Sequence, residues 1–218
     1  MKKLLFILFV IPIICICQNY KVGNNAVNLD TMGVVLYSNA TMFDDLRIDG
    51  LTTPSNLDEP ALTNSFAGSA LLFQRVFQGS IRDDKIYFNI QLPHSWKQGG
   101  EFEIHLHNSA WTNPVATDTC VWQFNYAWDN INGIFDTINT VTVKQPLGAT
   151  AQWKHNKFEL YRFTVIGKTM SSVLACSIYR LANSNASDTY TGGMTILYID
   201  CHYEIDGLGS PKELYKPY

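Results

Sequence analysis

The chain has 218 residues, of which 46 % are hydrophobic, 13 % aromatic and only 16 % charged, with a formal net charge of −3. That length suits one large all-β domain or one ordinary mixed domain with a substantial core. Sparse charge without a basic stripe excludes a nucleic-acid-binding surface, and no stretch after residue 17 is long and apolar enough to cross a bilayer.

Residues 1–17 differ in kind from the rest. Lys2 and Lys3 precede an apolar run that reaches Cys17 and is broken only by Pro12. A short charged region followed by an apolar stretch below spanning length reads as a secretory signal, with an uncleaved anchor as the alternative. Cys15 and Cys17 occupy the small-residue positions before the cut, leaving Gln18 as the new N-terminus. A lipobox fits less well, because Ile14 and Ile16 stand where small residues are wanted. Export places the protein in the secreted or cell-envelope space, without a membrane segment once the signal is removed. Cys120, Cys176 and Cys201 then remain, an odd number that allows at most one intramolecular disulfide. Each lies in an apolar run, where buried free thiols are common. Asn39-Ala40-Thr41 and Asn185-Ala186-Ser187 are glycosylation sequons if the source is eukaryotic.

Residues 18–32 are polar and Asn-rich and read as an arm, with a first strand at 33–37. Thr41 as a cap with Asp44 behind it predicts a helical turn over 41–48. Two Pro and two Gly mark 49–68 as a long loop or strap. Strand patterns dominate from there. They fall at 70–77, 86–92, 101–107, 120–128, 157–166, 173–181 and 195–205, with a less regular one at 135–143. In 120–128, Cys120, Trp122, Phe124, Tyr126 and Trp128 share one face. In 195–205 the apolar face runs unbroken from Thr195 and Leu197 to Ile205, opposite Asp200, His202, Glu204 and Asp206. Helical periodicity is nearly absent. The expected fold is an all-β antiparallel sandwich of jelly-roll type with about eight or nine strands. The division is a signal-like segment at 1–17, an arm and strapping loop at 18–65, and a β-sandwich at 66–218.

The run from Pro93 to His107 carries the sharpest chemistry. Phe102, Ile104 and Leu106 alternate with Glu101, Glu103, His105 and His107, giving a strand with opposed apolar and polar faces. Gly99, five residues and His105-Leu106-His107 match the opening of the cupin metal motif. Trp111 and Thr112 stand where that motif continues with Glu, and its second half is missing. The inward face of the strand is also the apolar one, so the histidines point away from a cupin pocket. If the strand bearing Asp200, His202 and Glu204 lies beside this one, His105, His107 and His202 become candidate ligands for a divalent metal. The alternative is a solvated face of His and carboxylate hydrogen bonds, with no cofactor. Trp122 and Trp128 read as core, whereas Trp96 and Trp111 sit in turn-like contexts and are candidates for an exposed sugar-stacking platform. No nucleophile elbow, phosphate-cradling loop or Cys-x-x-Cys is present.

Several short motifs occur in one order. They are Gln91-Leu92-Pro93-His94-Ser95-Trp96-Lys97-x-Gly99, Ile104-His105-Leu106-His107, Val121-Trp122-x-Phe124-x-Tyr126-x-Trp128, Asp188-Thr189-Tyr190, Asp200-x-His202-Tyr203, Gly209-Ser210 and Tyr215-Lys216. Together, over residues 66–216, the series resembles an uncharacterised group of tailed-phage and prophage proteins associated with virion structure, of head-fibre or capsid-decoration kind. The resemblance implies a non-enzymatic β-sandwich that assembles as a homo-oligomer, with a trimer as the expected arrangement. It also implies a virion location as the alternative to export. The chain departs from that pattern at Asn108, where an aromatic is expected, and in its signal-like start. His94, Trp96, Trp111, Glu103, His105, His107, Asp200 and His202 are the expected interaction surface, for other copies or for a glycan or cell-surface ligand.

Overall fold

The computed structural model describes residues 20–22, 25–29, 35–38, 41–48, 51, 53, 60–64, 73–77, 79 and 83–210. The signal-like segment and the tail beyond residue 210 lie outside the described residues. Among the described residues there are thirteen strands and no helix: β1 Tyr20–Val22, β2 Asn25–Leu29, β3 Val35–Ser38, β4 Met42–Ile48, β5 Ala61–Asn64, β6 Phe73–Phe77, β7 Lys85–Gln91, β8 Phe102–Ala110, β9 Thr119–Asp129, β10 Asn139–Pro146, β11 Asn156–Arg162, β12 Val173–Arg180 and β13 Met194–Ile205.

One sheet runs β10-β9-β12-β7 and the other β11-β8-β13-β6-β5, all antiparallel. From β6 to β13 the chain changes sheet at every connection except the β9–β10 hairpin, which gives the jelly-roll order. The core fills from both inner faces. Ile86, Phe88 and Ile90 of β7, Trp122 and Phe124 of β9, and Leu174 and Ile178 of β12 meet Phe102, Ile104 and Leu106 of β8 and Ile199 and Cys201 of β13. Burying each of these larger side chains contributes about 1.5–3 kcal/mol. Asn108, on the inward phase of β8, is fully buried among them. Its amide donates to Gln145 Oε1 at 2.9 Å and its own oxygen accepts from Gln145 Nε2 at 3.2 Å. Trp122 Nε1 donates to the same Gln145 oxygen at 2.8 Å, so the polar residue at the expected aromatic position is hydrogen-bonded within the core.

The expected strap at 49–68 contains strand β5, Ala61–Asn64, which pairs antiparallel with β6. Three further local expectations change. Residues 41–48 form strand β4 rather than a helical turn, pairing Met42–Ile48 antiparallel with Ile205–Ile199. The free edge of β13 supplies a ladder that outweighs the local cap signal, and Leu46 and Ile48 pack on the core. The Asn-rich stretch forms β1 and β2, and β2 lies between β1 and β3 in a separate three-stranded sheet. Tyr37 of β3 donates its N–H to Asp206 O at 2.8 Å, tying that sheet to the chain that follows β13. Third, the alternation along β13 is broken by a register shift between Ile196 and Tyr198. Met194 and Ile196 therefore face inward before the bulge, and Ile199, Cys201, Tyr203 and Ile205 after it; Thr195 and Leu197 do not join that core face.

Candidate functional site

The turn before β8 places the strand. Gly99 takes φ 81°, a left-handed conformation that favours glycine. Gly100 N–H donates to Lys97 O at 2.7 Å and Lys97 N–H to Glu204 O at 2.7 Å, docking the turn on the end of β13. Trp96 bridges Ile205 and is fully buried. That removes Trp96 as an exposed platform: the turn folds its indole inward because β13 offers an apolar wall there.

β8 and β13 are hydrogen-bonded neighbours with Asp200 opposite His105 and His202 opposite Glu103, so the two polar faces expected from the sequence form one surface. His105 Nδ1 lies 3.3 Å from Asp200 Oδ1, and His107 Nε2 lies 3.3 Å from Asp200 Oδ2. His105 Nε2 is 3.1 Å from Glu103 Oε2, and Arg162 of β11 pairs with the other Glu103 oxygen. His107 Nδ1 is hydrogen-bonded to His155 Nε2 at 2.6 Å. Tyr198 stacks on His107 with centroids 4.1 Å apart, and the Arg47 guanidinium lies over the Tyr198 ring, 4.6 Å from its centroid. These large side chains cover the face. His105 is 3 % exposed, and Glu103, His107 and Asp200 are also buried, so the expected solvated face is a closed layer of charge.

His202 stands apart from the pair. Its Nδ1 is 2.8 Å from Asp45 Oδ1 on β4, its ring stacks on Phe43, and its centroid is 5.7 Å from that of His105. Adding β4 beside β13 gives His202 its own carboxylate. Among the described residues no group of three or more His, Cys, Asp or Glu is arranged to hold a metal ion. His94 joins distant segments: its Nε2 is 3.0 Å from Ser171 Oγ and its Nδ1 3.4 Å from Ser210 O, beside a groove of about 610 Å³ along Leu46–Ile48 and Asn89–His94. Trp111 is half-buried, edge-on to Trp153 at 4.6 Å, far from the His cluster in register, at the end of β8. The structure thus unites Glu103, His105, His107 and Asp200, places His202 next to them, and separates His94, Trp96 and Trp111.

The shared carboxylate splits the two histidines. Contact with Asp200 outweighs burial and raises the pKa of His105 above its ordinary value, whereas burial lowers that of His107. Burial alone would raise the Asp200 carboxyl, but the two imidazoles hold it low. An elevated folded-state pKa means that His105 stabilises the fold fully below the unfolded histidine value of about 6.5, and that this is lost as pH rises through the elevated value. His107 has the opposite sign: it costs stability as pH falls below about 6.5. A histidine-resolved NMR titration is expected to show His105 above and His107 below the free-histidine midpoint. In Asp200→Asn the His105 midpoint falls; a His105 midpoint unmoved by that substitution contradicts the assignment.

Among the described residues, Cys120, Cys176 and Cys201 are free and buried. Burial pushes the Cys120 thiol up to about 12 and raises Cys176 and Cys201 as well, which leaves the sulfurs protonated and unreactive. Two features escaped the sequence reading. Arg180, the one cation within the apolar run 173–181, is fully buried against Asp188, with Nε–Oδ2 3.0 Å and Nη2–Oδ1 2.8 Å. Its isolation in that run was the available signal. The other is a set of exposed apolar side chains at one end of the sandwich. Ile131, Ile134, Phe135 and Ile138 of the β9–β10 loop lie there, and so does Ile166 of the β11–β12 loop. Ile134 is 77 % and Ile166 82 % exposed. Asn130 ties the loops together, donating to Gly167 O at 3.0 Å and accepting from Thr169 N–H at 2.9 Å.

No family model and no curated protein matches the chain. Among solved structures, it is similar to the enzymatically active domain of tailspike protein 4 of bacteriophage CBA120, at 12 % identity and a TM-score of 0.36 over 77 % of this chain. This chain spans 20 % of that tailspike chain. It is also similar to the carbohydrate-binding module TmCBM61, solved with β-1,4-galactotriose, at 10 % identity and a TM-score of 0.28, covering 75 % of this chain and 88 % of that one. Likenesses this distant carry no argument about activity.

Proposed function

We propose that the chain is a non-enzymatic attachment protein, a jelly roll that works by assembling with copies of itself and presenting its sheet faces at a cell or virion surface. The observation that carries this reading is the apolar end formed by Ile131, Ile134, Phe135 and Ile166. Several large apolar side chains gathered on two loops that brace each other mark a contact site rather than scattered exposure. Such loops, meeting around a symmetry axis, close a cyclic oligomer. The His–carboxylate layer supports the same reading: Asp200 is shared between His105 and His107, and those rings are committed to Glu103 and His155 rather than aimed into a cleft. Among the described residues no helix is long and apolar enough to cross a membrane.

Size-exclusion chromatography with light scattering tests the assembly. The parent protein is expected at the mass of an oligomer, a trimer by this reading. Ile134→Asp combined with Ile166→Asp is expected at monomer mass with an unchanged circular-dichroism spectrum. A parent protein that is strictly monomeric at micromolar concentration overturns the proposal. So does stoichiometric metal in the purified protein that disappears from a His105→Ala, His107→Ala double variant, because it would restore the metal-enzyme alternative.

A further inference from the structure

The outer face of the four-stranded sheet carries a trough that the sequence reading left unused. The register sets Tyr87, Ser177 and Asn125 in one row across β7, β12 and β9, and Asn89, Ala175 and Ala127 in the next. Short side chains in the middle strands lower the floor at Ala127, Ala175 and Ser177. Tyr87 stands on the β7 side and Ile138 on the β10 side, and the space between measures about 310 Å³, within the range of small-molecule sites. The Lys85 ammonium sits 4.4 Å from the Tyr87 ring centroid and 4.3 Å from that of Tyr179, gripped by two π faces. No carboxylate lines the trough, and Lys85 makes no ion pair among the described residues. Polar groups are ready beside it. Asn125 Oδ1 accepts from Gln123 at 3.1 Å and Thr140 at 2.8 Å, which fixes its amide, while the Asn89 side chain has no partner among the described residues.

We infer that this trough is a glycan-binding site for a sugar bearing a carboxylate, with Lys85 pairing the acid, Tyr87 flanking the ring, and Asn89 and Asn125 bonding its hydroxyls. A pyranose alternates apolar C–H faces with hydroxyl edges, which suits a lining of tyrosine, small aliphatic residues and side-chain amides. One positioned cation with no counter-ion among the described residues adds the preference for an acidic residue. Lysine rather than arginine suits a point contact with a single carboxylate. The inference rests on the attachment reading and names what is attached to. The two fail separately, because light scattering reports assembly and the binding experiment reports the trough.

The test is an array that pairs each uronate- or sialate-bearing oligosaccharide with its neutral counterpart, followed by calorimetric titration with α-1,4-trigalacturonate against α-1,4-galactotriose and 3′-sialyllactose against lactose. At least one acidic member is expected to bind and its neutral counterpart to bind about tenfold more weakly or worse. Lys85→Met, which keeps the aliphatic stem, is expected to remove that preference. Ala175→Trp, which fills the floor, is expected to abolish binding altogether, with the unfolding midpoint of both variants checking that the sheet is intact. Binding that is equal for acidic and neutral partners, unchanged in Lys85→Met, or absent for every acidic sugar overturns the inference.

Discussion

Arg180→Met is expected to destabilise the fold by about 3–5 kcal/mol, the usual cost of leaving one partner of a buried ion pair uncompensated. Arg180 is held by Asp188 on two of its nitrogens, and it also donates to Gly192 O at 2.6 Å and to the Tyr190 carbonyl. Asp188 in turn accepts from Val121 N–H at 2.9 Å. One guanidinium therefore ties the end of β12 to the β12–β13 loop, and through Asp188 to β9. Removing it leaves a carboxylate and the carbonyls of Phe77, Tyr190 and Gly192 without that donor in a buried site. Arg180→Met with Asp188→Leu is expected to be less damaging than Arg180→Met alone, because it deletes both charges. Urea unfolding followed by tryptophan fluorescence reads both. A single variant within about 1 kcal/mol of the parent contradicts a structural role for the pair.

Phe163→Ala is expected to cost about 3–5 kcal/mol by the same measurement, the range for deleting a buried aromatic. Phe163 follows β11 and is the hub of a ring cluster. Its centroid lies 4.8 Å from Tyr161, 4.9 Å from Tyr126, 5.2 Å from Trp128 and 5.3 Å from Phe102. Three of these pairs have steep interplanar angles, the edge-to-face arrangement that adds to simple burial. The cluster underlies the loops that carry the apolar end, since β9 leads from Trp128 into one and Phe163 leads into the other. The variant is therefore expected to weaken assembly as well as stability. Phe163→Leu, which retains apolar volume, should recover more than half of the loss. Equal losses for Ala and Leu would instead assign the whole contribution to the edge-to-face ring geometry, because Leu restores volume but no ring.

The class of fold was legible because it is written in period two. The alternations at 86–92, 101–107 and 120–128 sort their apolar residues onto one face with no reference to the rest of the chain, and the sheets follow that sorting. The same logic failed at β4 and at the bulge in β13. Local cap chemistry at Thr41 could not register the open edge of β13, and an extra residue between Ile196 and Tyr198 leaves no mark in a pattern where Thr195 and Leu197 continue the alternation. The polar face was half legible. The two strands bearing Glu103, His105 and His107 and Asp200, His202 and Glu204 could be drawn, but their adjacency is a pairing between segments some ninety positions apart. Closure of that face depends on Tyr198, Phe43, Arg47 and Arg162, residues from three strands, β13, β4 and β11.

The sequence by itself determined an all-β chain with inward apolar faces, Cys120, Cys176 and Cys201 without ligand spacing, and two polar strand faces capable of forming a charged layer. Those properties depend on each residue and its near neighbours. Only the tertiary structure decided that Trp96 is core, that Asp200 serves two histidines while His202 takes Asp45, and that Arg180 is buried against Asp188. It also decided that small residues on β9 and β12 open a trough beside Lys85 and Tyr87. The physical reason is common to all of these. Burial, pairing and pKa are set by what lies across the sheet or across the sandwich, and the jelly-roll order brings those partners from distant parts of the chain.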